Sequence, residues 1–167
     1  VEFIHPLHNL AVVSYDPDLI GDTPVRAAKF DTDKLKSGEK VWVIGLKGNH
    51  QLGYQESTVA SVDPMILPLS RTMRFRDSNI EGISLVTAPG DFDGVIVNKR
   101  GAVSALYSSF SFQSGSESGQ FNRGVESSLI LELLDVVQNA RPIYSLETEV
   151  SYSPLFAARK MGLDEDW

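Results

Sequence analysis

Short β-type runs recur along most of this chain, each closed by a turn, and that rhythm constrains the fold more than any other feature. Residues 1–4 and 10–15 are the first two runs, separated by Pro6 and closed by Asp16-Pro17-Asp18. Residues 25–30 are a third candidate, after a Gly-Asp-Thr-Pro turn, and residues 31–38 are a polar connection. Residues 41–46 read as a buried strand, and residues 55–62 as the next, by Ser/Thr/Val alternation. A turn at Asp63-Pro64 leads to Met65-Ile66-Leu67. Residues 81–87 and 95–98 are further strands, and Lys99-Arg100-Gly101 turns the chain back through residues 102–107. Strands at intervals of roughly 8–15 residues predict an all-β barrel or sandwich.

The pattern then changes. Residues 111–124 are rich in Ser and Gly and are expected to be a mobile loop. Leu129-Ile130, Leu133-Leu134 and Val136-Val137 recur at helical spacing, so a helix is expected over residues 127–139. Ser127 or Ser128 would cap it and Arg141-Pro142 would end it; its apolar stripe reads as core packing. Residues 144–152 alternate like a strand. A short helix follows Ser153-Pro154, with Gly162 at its C-terminal cap.

Composition narrows the function. With 167 residues the chain has material for about one domain. No apolar run approaches the ~20 residues that span a bilayer, and no N-terminal segment reads as a signal peptide. The absence of cysteine excludes disulfides, thiolate metal sites and a cysteine nucleophile. A net charge of −7 argues against a nucleic-acid partner. Arg71, Arg74 and Arg76, the one basic cluster, read as a solvated polar face. The start at Val1, without Met, suggests a piece of something longer.

Four ordered segments carry a family resemblance. Pro89-Gly90-Asp91-Phe92-Asp93-Gly94-Val95-Ile96-Val97-Asn98 resembles the nucleophile loop P-G-N-S-G-G-P-L-V-N of trypsin-like serine proteases of the HtrA/DegP family. Asn9-Leu10-Ala11-Val12-Val13 resembles the D-L-A-V-L element that carries the triad aspartate. Residues 34–45, Lys-Leu-Lys-Ser-Gly-Glu-Lys-Val-Trp-Val-Ile-Gly, resemble the entry into the second barrel, K-L-x-x-G-x-x-V-x-x-I-G. Val97-Asn98-Lys99-Arg100-Gly101-Ala102-Val103 matches the V-N-x-x-G-x-V hairpin. Residues 154–163 resemble the first turns of a PDZ domain.

The resemblance is greatest to the degenerate second protease-like half of the fungal nuclear, pro-apoptotic branch. It implies the end of a first trypsin-like barrel at residues 1–30, a second barrel at 31–110, a flexible loop at 111–126, a linker helix at 127–141 and the start of a PDZ-like domain at 142–167. It implies a nuclear setting, with the cytoplasm as the alternative. Implied partners are peptides or unfolded protein segments, the rest of a parent chain, and a second copy.

Two departures from the family motif bear on chemistry. The position of the nucleophilic serine is Phe92, whose ring has no lone pair to attack a carbonyl and no proton to give a base. The position of the aspartate is Asn9, which cannot stabilise an imidazolium by charge. Gly90, Asp91 and Asp93 would form a degenerate oxyanion loop, where the Asp93 carboxylate would repel a developing oxyanion. No catalytic residue, cofactor or metal is therefore expected, and the segment reads as a pseudoprotease. The alternatives are a segment of an active endopeptidase whose triad lies elsewhere, and a stand-alone peptide-binding or assembly module that self-associates through open apolar edges.

Other candidates read as structural. His5 and His8 would point to opposite faces of a strand and so would not share a metal. His50 reads as a loop histidine, and the Asp91/Asp93 pair as a solvated turn. Ser116 and Ser118 miss the G-x-S-x-G elbow because Glu117 stands between them.

Overall fold

The computed structural model describes all residues except 7, 9, 66–80, 115–116, 145–152 and 167. A small antiparallel hairpin opens the chain: β1 (Phe3–Ile4) pairs with β2 (Ala11–Val12). A closed six-stranded antiparallel barrel follows. Its strands are β3 (Lys40–Lys47), β4 (Leu52–Pro64), β5 (Glu81–Leu85), β6 (Phe92–Val97), β7 (Val103–Ser114) and β8 (Glu117–Glu126), in the spatial order β3-β4-β5-β8-β7-β6. Closure leaves the barrel proper without an open edge. The fold is all-β and trypsin-like, as the sequence pattern and the resemblance predict.

Period-two alternation builds the interior. Val41 and Val43 point inward from β3 while Trp42 and Ile44 are only partly covered. Val59, Ile83, Ile96, Ala105 and Tyr107 complete a core in which each of these side chains is at most 1% exposed. Phe92 belongs to the same cluster. Register shifts at Val59/Ser61 and Ile96/Val97 bend β4 and β6, as bulges do in small barrels.

Helix α1 (Ser127–Gln138) buries Leu133 and Val136, and Leu129 packs with Met65 and Val125 below the barrel. No side chain caps its start. Glu126 holds the cap position, and the Ser127 hydroxyl instead donates to the Asp31 carbonyl at 2.6 Å. That bond belongs to a knot around Asp31. Its carboxylate accepts from Asn98 and Ser104 and pairs with Arg100 at 2.9 Å. Helix α2 (Leu155–Lys160) ends with Gly162 at φ +106°, just beyond its last turn, where glycine relieves left-handed strain.

Several expectations are corrected. Residues 25–30 form no strand: residues 25–29 are exposed, and among the described residues the stretch pairs only through one parallel bridge from Phe30 to Val103. Asp63-Pro64, expected to be a turn after that strand, are instead the last two residues of β4. Of residues 111–126, expected to be a flexible loop, 111–114 and 117–126 instead belong to β7 and β8. Ten consecutive pairs join β7 to β8 from Ala105↔Glu126 to Ser114↔Glu117, so backbone pairing outweighs the low strand propensity of Ser and Gly. The barrel therefore extends beyond residue 110. The strand expected at 144–152 lies at residues outside those described, apart from Tyr144. Among the described residues no helix is long and apolar enough to cross a membrane.

Candidate functional site

The stretch that resembles a nucleophile loop is not a loop from residue 92 onward. The backbone of Phe92, Asp93 and Gly94 runs in register with Lys47, Leu46 and Gly45 of β3, so β6 starts at Phe92 rather than at Val95. Successive amides of an extended strand point to opposite edges and do not converge on one oxygen, which an oxyanion site requires.

Strand alternation sends the Phe92 side chain inward and leaves Asp91 and Asp93 outside. Phe92 is 8% exposed. Its ring fits only because two neighbouring strands carry glycine at the contact. A Cβ on Gly53 would lie 2.7 Å from ring Cδ1, and one on Gly45 would lie 3.0 Å from Cδ2. Gly45 and Gly94 also let β3 and β6 approach closely, since a Cβ on either would fall about 2 Å from a carbonyl oxygen across the pair.

Phe92 and the rest of the 90–94 stretch line an open groove of ≈ 680 Å³ together with Gly45, Leu46, Ser109, Gln120 and Asn122. Two donors hold the chain just before Gly90: the Tyr107 hydroxyl and the Asn122 amide both donate to the Pro89 carbonyl, at 3.3 and 3.2 Å. Burial raises the Tyr107 phenol above its ordinary value; the Asn122 hydrogen bond opposes that shift and the nearby Asp93 carboxylate adds to it. Asp91 pairs with Lys47 at 3.0 Å. The Ser109 hydroxyl accepts from the Gln120 amide. Among the described lining residues there is no histidine, so no hydroxyl–imidazole pair faces the groove.

The structure thus brings together Gly90, Asp91, Phe92 and Asp93. Asn9 lies outside the described residues, as do Ser116 and the Arg71, Arg74 and Arg76 cluster. Ser118 is exposed on β8 opposite Gln113. His50 sits in the β3–β4 turn at φ +62°. The geometry expected for His5 and His8 is overturned. They stand in the tight turn of the first hairpin rather than on a strand, and their rings lie 4.6 Å apart. Among the described residues no three potential metal ligands gather.

Sequence reasoning missed Tyr107, Asn122, Gly45 and Gly53. One signal was available: Gly45 and Gly53 bracket the β3–β4 turn symmetrically, as a paired loss of side chains across a hairpin does when a large neighbour needs the space. Asn122 was hidden in a segment read as loop.

No protein-family model matches the chain. Among curated proteins, it is 30% identical to the pro-apoptotic serine protease NMA111 of Phaeosphaeria nodorum, over all of this chain and 17% of that protein. It is 31% identical to Protease Do-like 7 of Arabidopsis thaliana, over all of this chain and 18% of that protein. The chain therefore spans less than one fifth of the length of these relatives. Among solved structures, the Rv3671c protease in an inactive form superposes with a TM-score of 0.52 at 17% identity, covering 76% of this chain and 66% of that one. Along its whole length the chain is therefore similar to one segment of these much longer proteases, and its barrel has the trypsin-like fold.

Proposed function

We propose that this segment is a pseudoprotease: a protease-like barrel that performs no hydrolysis and holds extended peptide or unfolded protein segments in the groove lined by Phe92. One observation carries the reading. The residue at the nucleophile position is a core side chain, buried against two glycines, and its backbone is strand. Covalent catalysis needs a hydroxyl or thiol presented to the substrate beside a base, and the described lining residues include no histidine to serve the Ser109 hydroxyl. What the groove offers is open volume, an apolar patch at Leu46 and hydrogen-bonding side chains at Ser109, Gln120 and Asn122. Those features suit recognition of extended chain.

The test is an NMR titration with a permanently unfolded protein, reduced and carboxymethylated α-lactalbumin, followed by mass spectrometry of the same sample. Shifts confined to the groove residues with no new fragments are expected. Fragmentation of the probe, or shifts that avoid the groove, contradicts the reading.

A second reading concerns the longer protein. One of the two relatives is named a serine protease and the other a protease, and this chain matches less than one fifth of each. Peptide hydrolysis by a triad outside this segment is compatible with a non-hydrolytic barrel here. A nuclear setting belongs to the same proposal and is tested by imaging the full-length protein.

A further inference from the structure

The hairpin of β1 and β2 is closed at its turn by a histidine acting as acceptor. The His8 amide donates to His5 Nδ1 at 3.0 Å, so His5 is neutral and carries its proton on Nε2. The His5 amide donates to the Leu10 carbonyl at 2.9 Å and the Glu2 amide to Val12 at 2.8 Å. His5 is 6% exposed, and the hairpin packs against α1 through β2. Only two residue pairs register β1 with β2. A two-stranded hairpin of that length is marginal without packing.

We propose that the β1–β2 hairpin is an acid-released element: protonation of His5 at Nδ1 removes the acceptor for the His8 amide, places a charge in a buried turn, and detaches the hairpin from α1 while the barrel stays closed. Among the described residues, His8 from its own turn and Glu132 from α1 act on His5. Burial first, then His8, hold the imidazole below its ordinary value of 6.5, and Glu132 acts in the opposite sense. With the folded value depressed, the unfolded hairpin binds the extra proton. The docked form is then fully favoured above 6.5 and loses ground as pH falls below it.

Amide hydrogen exchange read by NMR between pH 7.5 and 5 tests this. Protection of the Glu2, His5 and Leu10 amides should fall about tenfold relative to barrel amides such as Val59, tracking titration of the His5 ring resonance. His5→Asn keeps an acceptor that does not titrate and should abolish the differential loss. Glu132→Gln removes the opposing carboxylate and should move the midpoint to lower pH. Constant relative protection across the range, a midpoint unrelated to the His5 ring, or an upward shift in Glu132→Gln overturns the proposal. Should His5→Asn fail to fold, the ring titration and Glu132→Gln decide it.

Discussion

The Phe92 ring rests directly on the α-carbon of Gly53, so closely that a methyl group there would fall 2.7 Å from Cδ1. The contact joins the first residue of β6 to the second residue of β4, across β3, where Gly45 is equally bare. Space for an aromatic ring has been made by omitting side chains in two strands. Phe92 is therefore integral to the barrel rather than a residue displayed above it.

Gly53→Ala should destabilise the fold by about 1–3 kcal/mol, the usual range for overpacking a filled core. Chemical denaturation measures it. A double-mutant cycle with Phe92→Leu should show coupling, with Gly53→Ala costing less once the ring is gone. Additive effects would mean that the two residues do not press on one another.

Phe92→Ser restores a hydroxyl at the motif position and should restore no activity. The new side chain would face a void in the core, at a cost near the about 3–5 kcal/mol typical of Phe→Ala. It would also meet no imidazole among the described residues that line the groove. Cleavage of an unfolded substrate by this variant, read by mass spectrometry, would contradict the account.

Much of the barrel was legible in the sequence because its signal is local. Residues 41–46, 55–62 and 81–87 alternate or carry β-branched side chains, and each lies on a strand apart from the last two residues, Val86 and Thr87. The hairpin arm at residues 103–126 was not legible past residue 110. Its Ser and Gly content matches loops, and what makes it β is pairing between segments, a property that no window of sequence displays. Similarly, Val25 to Phe30 has strand-like composition but, among the described residues, no partner for most of its length. At the site, the loss of a nucleophile could be read from Phe92 alone. The burial of that ring could not, because it depends on Gly53, which lies in a different strand.

The knot at Asp31 predicts a pH dependence. Burial pushes its carboxyl up, but the Asp33 amide, the Asn98 amide and the Arg100 guanidinium outweigh that and hold it below its ordinary value of 3.8. A depressed folded value contributes stability that is present above 3.8 and lost as pH falls through the folded value. Asp31→Asn should cost about 1–3 kcal/mol at neutral pH, because hydrogen bonds to a charged group are lost. The variant should also lose stability less steeply on acidification than the parent chain. Parallel acid limbs in the two denaturation series would place the titration elsewhere.

Tyr107→Phe removes one of two donors to the buried Pro89 carbonyl. With Asn122 still in place, the cost should be about 0.5–1.5 kcal/mol. Combining it with Asn122→Ala leaves that carbonyl without either donor and should cost more than the sum of the single changes. Denaturation midpoints give the energies, and amide exchange at Gly90 and Asp91 should quicken in the double variant.

Labelling with a fluorophosphonate probe, read as intact mass and then mapped by peptide, tests the central claim most directly. The account predicts no adduct on the chain as it stands and none on Phe92→Ser. An adduct on Ser109, or on any other serine of the folded chain, would reveal an activated hydroxyl that a barrel with Phe92 as its core residue does not contain.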